Sequence, residues 1–172
     1  MNKVFAAVIS IAIGGSVNAE PAVFRNGEMT ISEGVVISEG STNYYSDIRL
    51  TYDGNGALII AGADAMPKVL VETIDILIME SFPLQVSVAV NGIKSVPCTK
   101  LLSPAVSYAD NTFTVVLAET VLGPAESCIA VTDPFETSVA LNVLDLPAGT
   151  YTVDVNGATA EFTFDMDNSS LN

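Results

Sequence analysis

Apolar and polar positions alternate with period two through most of the chain beyond residue 19, the spacing of half-buried strands. Leu84, Val86, Val88 and Val90 point one way, while Gln85, Ser87 and Ala89 point the other. The Asn91-Gly92 pair then offers residues that tolerate positive φ and predicts a tight turn. Phe113, Val115 and Leu117 repeat the pattern after a turn at Ala109-Asp110-Asn111, and Val139, Leu141 and Val143 repeat it again. Leu146-Pro147-Ala148-Gly149 turns the chain into Tyr151, Val153 and Val155, and Asn156-Gly157 hands it on to Ala160, Phe162 and Phe164. In residues 69–79, Ile74, Ile76 and Ile78 alternate with Thr73, Asp75 and Leu77. That length would admit a helix, but the β-branched run favours a strand.

Upstream, residues 29–37 and 48–52 read as strands, and Asp53-Gly54-Asn55-Gly56 predicts a hairpin turn into residues 58–61. The link 63–68, with Pro67, reads as a boundary. The pattern is all-β, and its seven or eight short strands fit a β-sandwich better than any α/β plan. It predicts a sandwich over 68–165, a β-hairpin or meander extension over 20–67 that packs on the sandwich or extends one of its sheets, and a flexible polar tail at 166–172.

Residues 1–19 read as a secretory signal peptide. Lys3 is followed by an apolar run over 4–13, and Val17-Asn18-Ala19 has the small-x-small form of a cleavage site. An apolar run of about ten residues falls short of the roughly 20 that span a bilayer. Export to a periplasm or the medium is therefore expected, with no membrane span after the leader is removed. With Lys3 gone, five basic residues face 20 acidic ones, a net charge near −15. Such a balance disfavours nucleic acid and anionic membranes as partners.

The run Leu144-Asp145-Leu146-Pro147-Ala148-Gly149-Thr150-Tyr151-Thr152-Val153-Asp154-Val155-Asn156-Gly157 resembles the closing hairpin of immunoglobulin-like modules in exported bacterial proteins. The stretch from Phe82-Pro83-Leu84-Gln85-Val86 through Cys98, Cys128 and Pro134-Phe135-Glu136 resembles an uncharacterised secreted family containing that hairpin. Asn26-Gly27-Glu28-Met29-Thr30-Ile31 and Tyr45-Ser46-Asp47-Ile48-Arg49-Leu50 resemble a second recurrent exported β element. The resemblance implies an immunoglobulin-like antiparallel β-sandwich and carries no catalytic residues with it. With no Trp in the chain, the Cys, Trp, Cys arrangement of antibody domains is absent.

Candidate chemistry narrows quickly. Two Cys in an exported chain most simply form one disulfide, here Cys98 with Cys128. The chain has no His, which removes Ser-His-Asp and Cys-His catalysis and His-based zinc sites. Paired carboxylates remain available for glycan hydrolysis. Asp53 with Asn55, and Asp165 with Asp167, place oxygen ligands at alternate residues as calcium candidates, although turn and tail chemistry also explain them. Tyr44 and Tyr45, in a polar stretch, are candidates for an exposed ligand or interface platform.

The expectation is a non-catalytic binding or structural protein of the envelope or secretome, with no cofactor. Its partner would be an envelope protein or glycan, and its oligomeric state stays open. The alternatives are a carboxylate-based glycan hydrolase and a secreted protease inhibitor with an inhibitory loop at 97–104.

Overall fold

The computed structural model describes residues 21–38 and 41–169; the expected leader lies outside the described residues. Regular structure there consists of eleven β-strands. Among the described residues no helix is long and apolar enough to cross a membrane. The chain divides between Pro67 and Lys68 into two compact units.

The first unit is a meander of β1 (Val23–Arg25), β2 (Glu28–Ser38), β3 (Ser41–Tyr52) and β4 (Leu58–Met66), joined in chain order into one antiparallel sheet of its own. Asn26 and Gly27 take positive φ and turn β1 into β2. The β3–β4 turn is closed by Asp53, whose Oδ1 accepts the backbone N–H of both Asn55 and Ala57 at 2.8 Å. The β3–β4 register slips between Ser46 and Leu50, beside Asp47 in the left-handed region. Residues 63–66, read from sequence as part of a link, instead continue β4 to Met66 against Tyr44. Tyr44, Ile48 and Leu50 are the buried apolar side chains of this unit.

The second unit has two sheets. One is ordered β5 (Leu70–Met79), β6 (Gln85–Lys94), β9 (Asp133–Leu141). The other is ordered β11 (Ala158–Phe164), β10 (Gly149–Val155), β8 (Thr112–Val116), β7 (Ala105–Ala109). One core joins both sheets, with Val86, Val88 and Val90 of β6 meeting Phe113 and Val115 of β8 and Tyr151, Val153 and Val155 of β10. Each such side chain contributes about 1.5–3 kcal/mol through burial, which makes this core the main source of stability. Tyr151 is fully buried among aromatic rings, yet its hydroxyl donates to the Pro147 carbonyl at 2.6 Å. That bond ties the strand back to its own turn and explains a polar tip inside an apolar core.

The strand pairings are antiparallel except β8 with β10, which run parallel. Parallel neighbours cannot be joined by a tight turn. The chain therefore leaves β8, crosses to the opposite sheet as β9, and returns as β10.

Two sequence expectations are corrected in this unit. Asn91-Gly92 is not a turn: β6 continues through both residues to Lys94. A Cβ at Gly92 would lie 2.3 Å from the Leu70 carbonyl oxygen and 2.8 Å from the Phe135 ring, so glycine is needed for close approach. The tail expected to be flexible from 166 onward is pinned at Asn168, which is buried. Its side chain accepts from Leu84 N at 2.7 Å and donates to the carbonyls of Leu84 and Val143 at 3.0 and 2.9 Å.

Candidate functional site

Strand direction gathers the functional candidates at one end of the second unit. β6 ends there at Lys94, β8 at Val116 and β10 at Val155, while β5 and β9 begin there. Asn156, in the β10–β11 turn, locks the ends together: its Nδ2 donates to the carbonyls of Val69 and Leu117 at 3.0 and 2.8 Å, and its Oδ1 accepts from Leu117 N at 3.1 Å. Two connections cross between the sheets at this end, residues 95–104 from β6 to β7 and residues 117–132 from β8 to β9.

The Cys98–Cys128 disulfide joins these two crossovers, with Cα atoms 6.0 Å apart across a sequence separation of 30. Beneath it lies Glu119, a buried carboxylate. It accepts from Ser95 N at 3.0 and 3.2 Å and from the Thr99 hydroxyl. A buried charge is tolerated where such donors replace water. Backbone bonds continue the zipper, from Leu102 N to the Ala118 carbonyl and from Thr120 N to the Lys100 carbonyl, both at 2.9 Å. Lys94 closes the base: its Nζ donates to the Thr99 carbonyl at 2.8 Å and pairs with Asp133 at 2.8 Å.

Above this anchored base, residues 121–132 carry no strand. Gly123 N donates to Glu126 Oε2 at 2.7 Å, and Val131 N to the Ile129 carbonyl at 3.0 Å, so the segment is folded on itself. It nevertheless holds Val121, Ile129 and Val131 in water, with Ile129 67% and Val131 52% exposed. The lysines of the second unit, Lys68, Lys94 and Lys100, all fall at this end, and Lys68 and Lys100 are exposed beside Ala118 and Thr120. The opposite end has the acidic residues Glu80, Asp110, Asp145, Asp165 and Asp167 in its turns and tail.

The other candidates are placed elsewhere. Tyr44 is not an exposed platform: it is buried, and its hydroxyl donates to Glu33 Oε2 at 2.5 Å. Burial first, then that hydrogen bond and the Glu33 charge, push its hydroxyl well above the usual phenol range. Tyr45, its chain neighbour, is half-buried. Asp53 spends Oδ1 on the turn, and the hydrogen bonds from Ala57 and Asn55 hold its carboxyl below the ordinary aspartate value. Asp167 Oδ1 accepts from Ala148 N at 2.8 Å, and Asp165 is exposed. Among the described residues no three His, Cys, Asp or Glu side chains converge as a metal cage. The loop at 97–104 is held down by the zipper to 118–120, and the projecting apolar loop is 121–132. The sequence signal for it was aliphatic residues flanking Cys128 with no strand partner.

No curated protein and no solved structure matches the chain. A family model does: residues 88–165 match the ORF11 beta-sandwich domain. The match runs from within β6 to just past β11 and takes in both crossovers, the disulfide and the projecting loop. The greater part of the second unit is thus similar to a β-sandwich domain in sequence as well as in its sheets.

Proposed function

We propose that this chain is an exported, non-catalytic binding module of a bacterial envelope or secretome, and that the stapled end of its sandwich is the contact surface. The observation that carries this reading is Ile129 and Val131 held in solvent on a loop fixed by Cys98–Cys128 and the Glu119 network. Exposed aliphatic side chains gain from being covered, and a loop already ordered loses little entropy when a partner covers it. Lys68 and Lys100 are exposed at this end, but Glu126 shares the loop and Lys94 is paired with Asp133, so the exposed aliphatic side chains, not charge, favour an envelope protein presenting apolar groups. A glycan partner would be expected to rely less on the aliphatic pair.

The proposed architecture is immunoglobulin-like. The Tyr151-to-Pro147 bond in the closing hairpin supports it as an analogue of a tyrosine corner, and the parallel β8–β10 pair sets it apart from the all-antiparallel form. Export is supported by the leader pattern and by a disulfide, which persists in oxidising compartments. A glycan hydrolase would need two free carboxyls facing one cleft. Among the described residues Glu119 is the buried acid, and its oxygens are committed to Ser95 and Thr99. The inhibitor reading draws support from the exposure of Ile129, although the turn from Ile129 to Val131 departs from an extended, substrate-like strand.

The test uses the exported protein as bait against envelope and secreted fractions of its source, beside an Ile129→Asp/Val131→Asp variant and a Met166→Asp variant at the other end. The expected result is a saturable partner whose affinity falls about tenfold or more with the loop variant and stays unchanged with the control. Equal retention by both variants would remove this surface from the proposal. Inhibition of a serine protease by the wild type, lost with Ile129→Asp, would replace it with the inhibitor reading.

A further inference from the structure

We infer that Asn26-Gly27, in the β1–β2 turn, is a site of self-modification, where the asparagine side chain closes on the next backbone nitrogen and becomes aspartate or its β-linked isomer. The Gly27 nitrogen gives its proton to a solvent base and bonds to Asn26 Cγ, while the Cγ–Nδ2 bond breaks and ammonia leaves. Water then opens the five-membered imide at either carbonyl. Glycine after asparagine favours this closure, because no Cβ crowds the attacking nitrogen and the backbone there turns freely. The sequence contains the pair four times, at Asn26-Gly27, Asn55-Gly56, Asn91-Gly92 and Asn156-Gly157. Local chemistry is the same at all four, so the fold decides which one reacts.

Three of these pairs are held in place. Gly92 is buried in β6, opposite Val71 of β5 on one side and Phe135 of β9 on the other. Asn156 commits its side chain to Val69 and Leu117, and Gly157 N donates to Asp154 Oδ1 at 2.7 Å. Gly56 N donates to the Asp53 carbonyl at 3.1 Å, in a turn that the Asp53 carboxylate also closes. Asn26 and Gly27, by contrast, are both exposed. Among the described residues no hydrogen bond holds the Asn26 side chain, and the Thr51 hydroxyl reaches the Gly27 carbonyl at a long 3.5 Å. Their turn is also the easiest to open. β1 has three residues, all exposed, and pairs with β2 at the edge of the sheet. So short a strand, with little apolar area buried, detaches at low cost and lets the turn rotate into the geometry of attack. The product places a carboxylate in the turn, and the β-linked isomer adds a backbone atom that disturbs the Arg25–Glu28 pairing. Modification thus falls on the edge hairpin of the first unit and spares Asn156, which locks the stapled end.

The test keeps the protein expressed from its full sequence in mildly alkaline buffer, folded or in urea, until the urea sample has converted. Peptide mass spectrometry follows each Asn-Gly pair, and fragment ions separate aspartate from its β-linked isomer. In the folded protein Asn26 should convert first, with the β-linked isomer as main product, and Asn55 more slowly. Asn156 should convert about a hundredfold more slowly than Asn26, since its hydrogen bonds must open before the imide can close. In urea the four rates should converge. Equal rates in the folded protein, another pair converting ahead of Asn26, or a folded Asn26 that stays intact would each overturn the inference. So would the same ranking in urea, which would assign the selectivity to neighbouring residues, or aspartate without its isomer, which would exclude the imide.

Discussion

Val88, Val90, Val115 and Val153 of the second unit are wholly sealed from water, whereas Leu58, Ile59 and Ile60 of the first remain about half exposed. Both groups lie on β-strands of similar apolar composition. The difference is in layering. In residues 68–169 the chain crosses between two sheets at 95–104 and 117–132, so each sheet supplies a face to cover the other. In residues 21–67 each strand pairs with its neighbours in sequence, and a meander of that kind makes one sheet. Period-two patterning creates an apolar face; facing sheets seal it along whole strands in the second unit, whereas in the first Tyr44, Ile48 and Leu50 of β3 are buried and β4 stays exposed. The crossovers that join the facing sheets are long, and the longer of them doubles as the candidate contact surface.

The largest perturbation of this contrast is Phe113→Ala. Phe113 packs between Tyr108 and Phe162, with ring centroids 4.6 and 6.2 Å away. Its truncation should destabilise the second unit by about 3–5 kcal/mol. Hydrogen exchange read by mass spectrometry during a urea titration should show β8 and β10 opening earlier while β2 and β3 stay unchanged. Equal losses in both units would show that they unfold as one cooperative block.

Opening the staple is next in size. Replacing Cys98 and Cys128 together by Ser should lower the stability of the second unit by about 3–4 kcal/mol, since the bridge closes a loop over a separation of 30. The same exchange experiment should locate the effect in residues 95–104 and 117–132. An unchanged midpoint would mean that the Glu119 network alone holds the crossovers.

Tyr44→Phe probes the first unit and is the smallest. Losing the hydroxyl bond to Glu33 should destabilise it by about 0.5–1.5 kcal/mol near neutral pH. The pH dependence has a definite sign. The folded phenol titrates above the unfolded one, so its contribution is complete below about pH 10 and declines as pH rises toward the folded value. The wild-type unit should therefore lose stability above pH 10 faster than Tyr44→Phe. Parallel curves would assign the alkaline loss to other groups.

How far these features could be read from sequence depends on the distance over which each is decided. The alternation from Val86 to Val90 and its burial agree because side-chain direction in a strand is local. The turns at Asp110-Asn111 and Asn156-Gly157 adopt the positive φ angles their residues tolerate, and both close hairpins. Asn91-Gly92 has the same composition but a different role, because the crowding that calls for glycine comes from Leu70 and Phe135 on neighbouring strands. The pinning of Asn168 depends on Leu84, 84 residues away in sequence. Glu119 reads as an ordinary surface acid until Ser95 and Thr99 fold over it.

The sequence by itself determined the all-β character, most strand faces, the excluded His chemistry and the pairing of two lone cysteines. Each follows from local periodicity or from composition. Tertiary structure alone decided the parallel β8–β10 pair, the burial of Glu119, Asn168 and Tyr44, and which crossover projects into solvent. These depend on which distant strands become neighbours, and strand pairing is selected by the packing of whole faces, to which no single segment holds the answer.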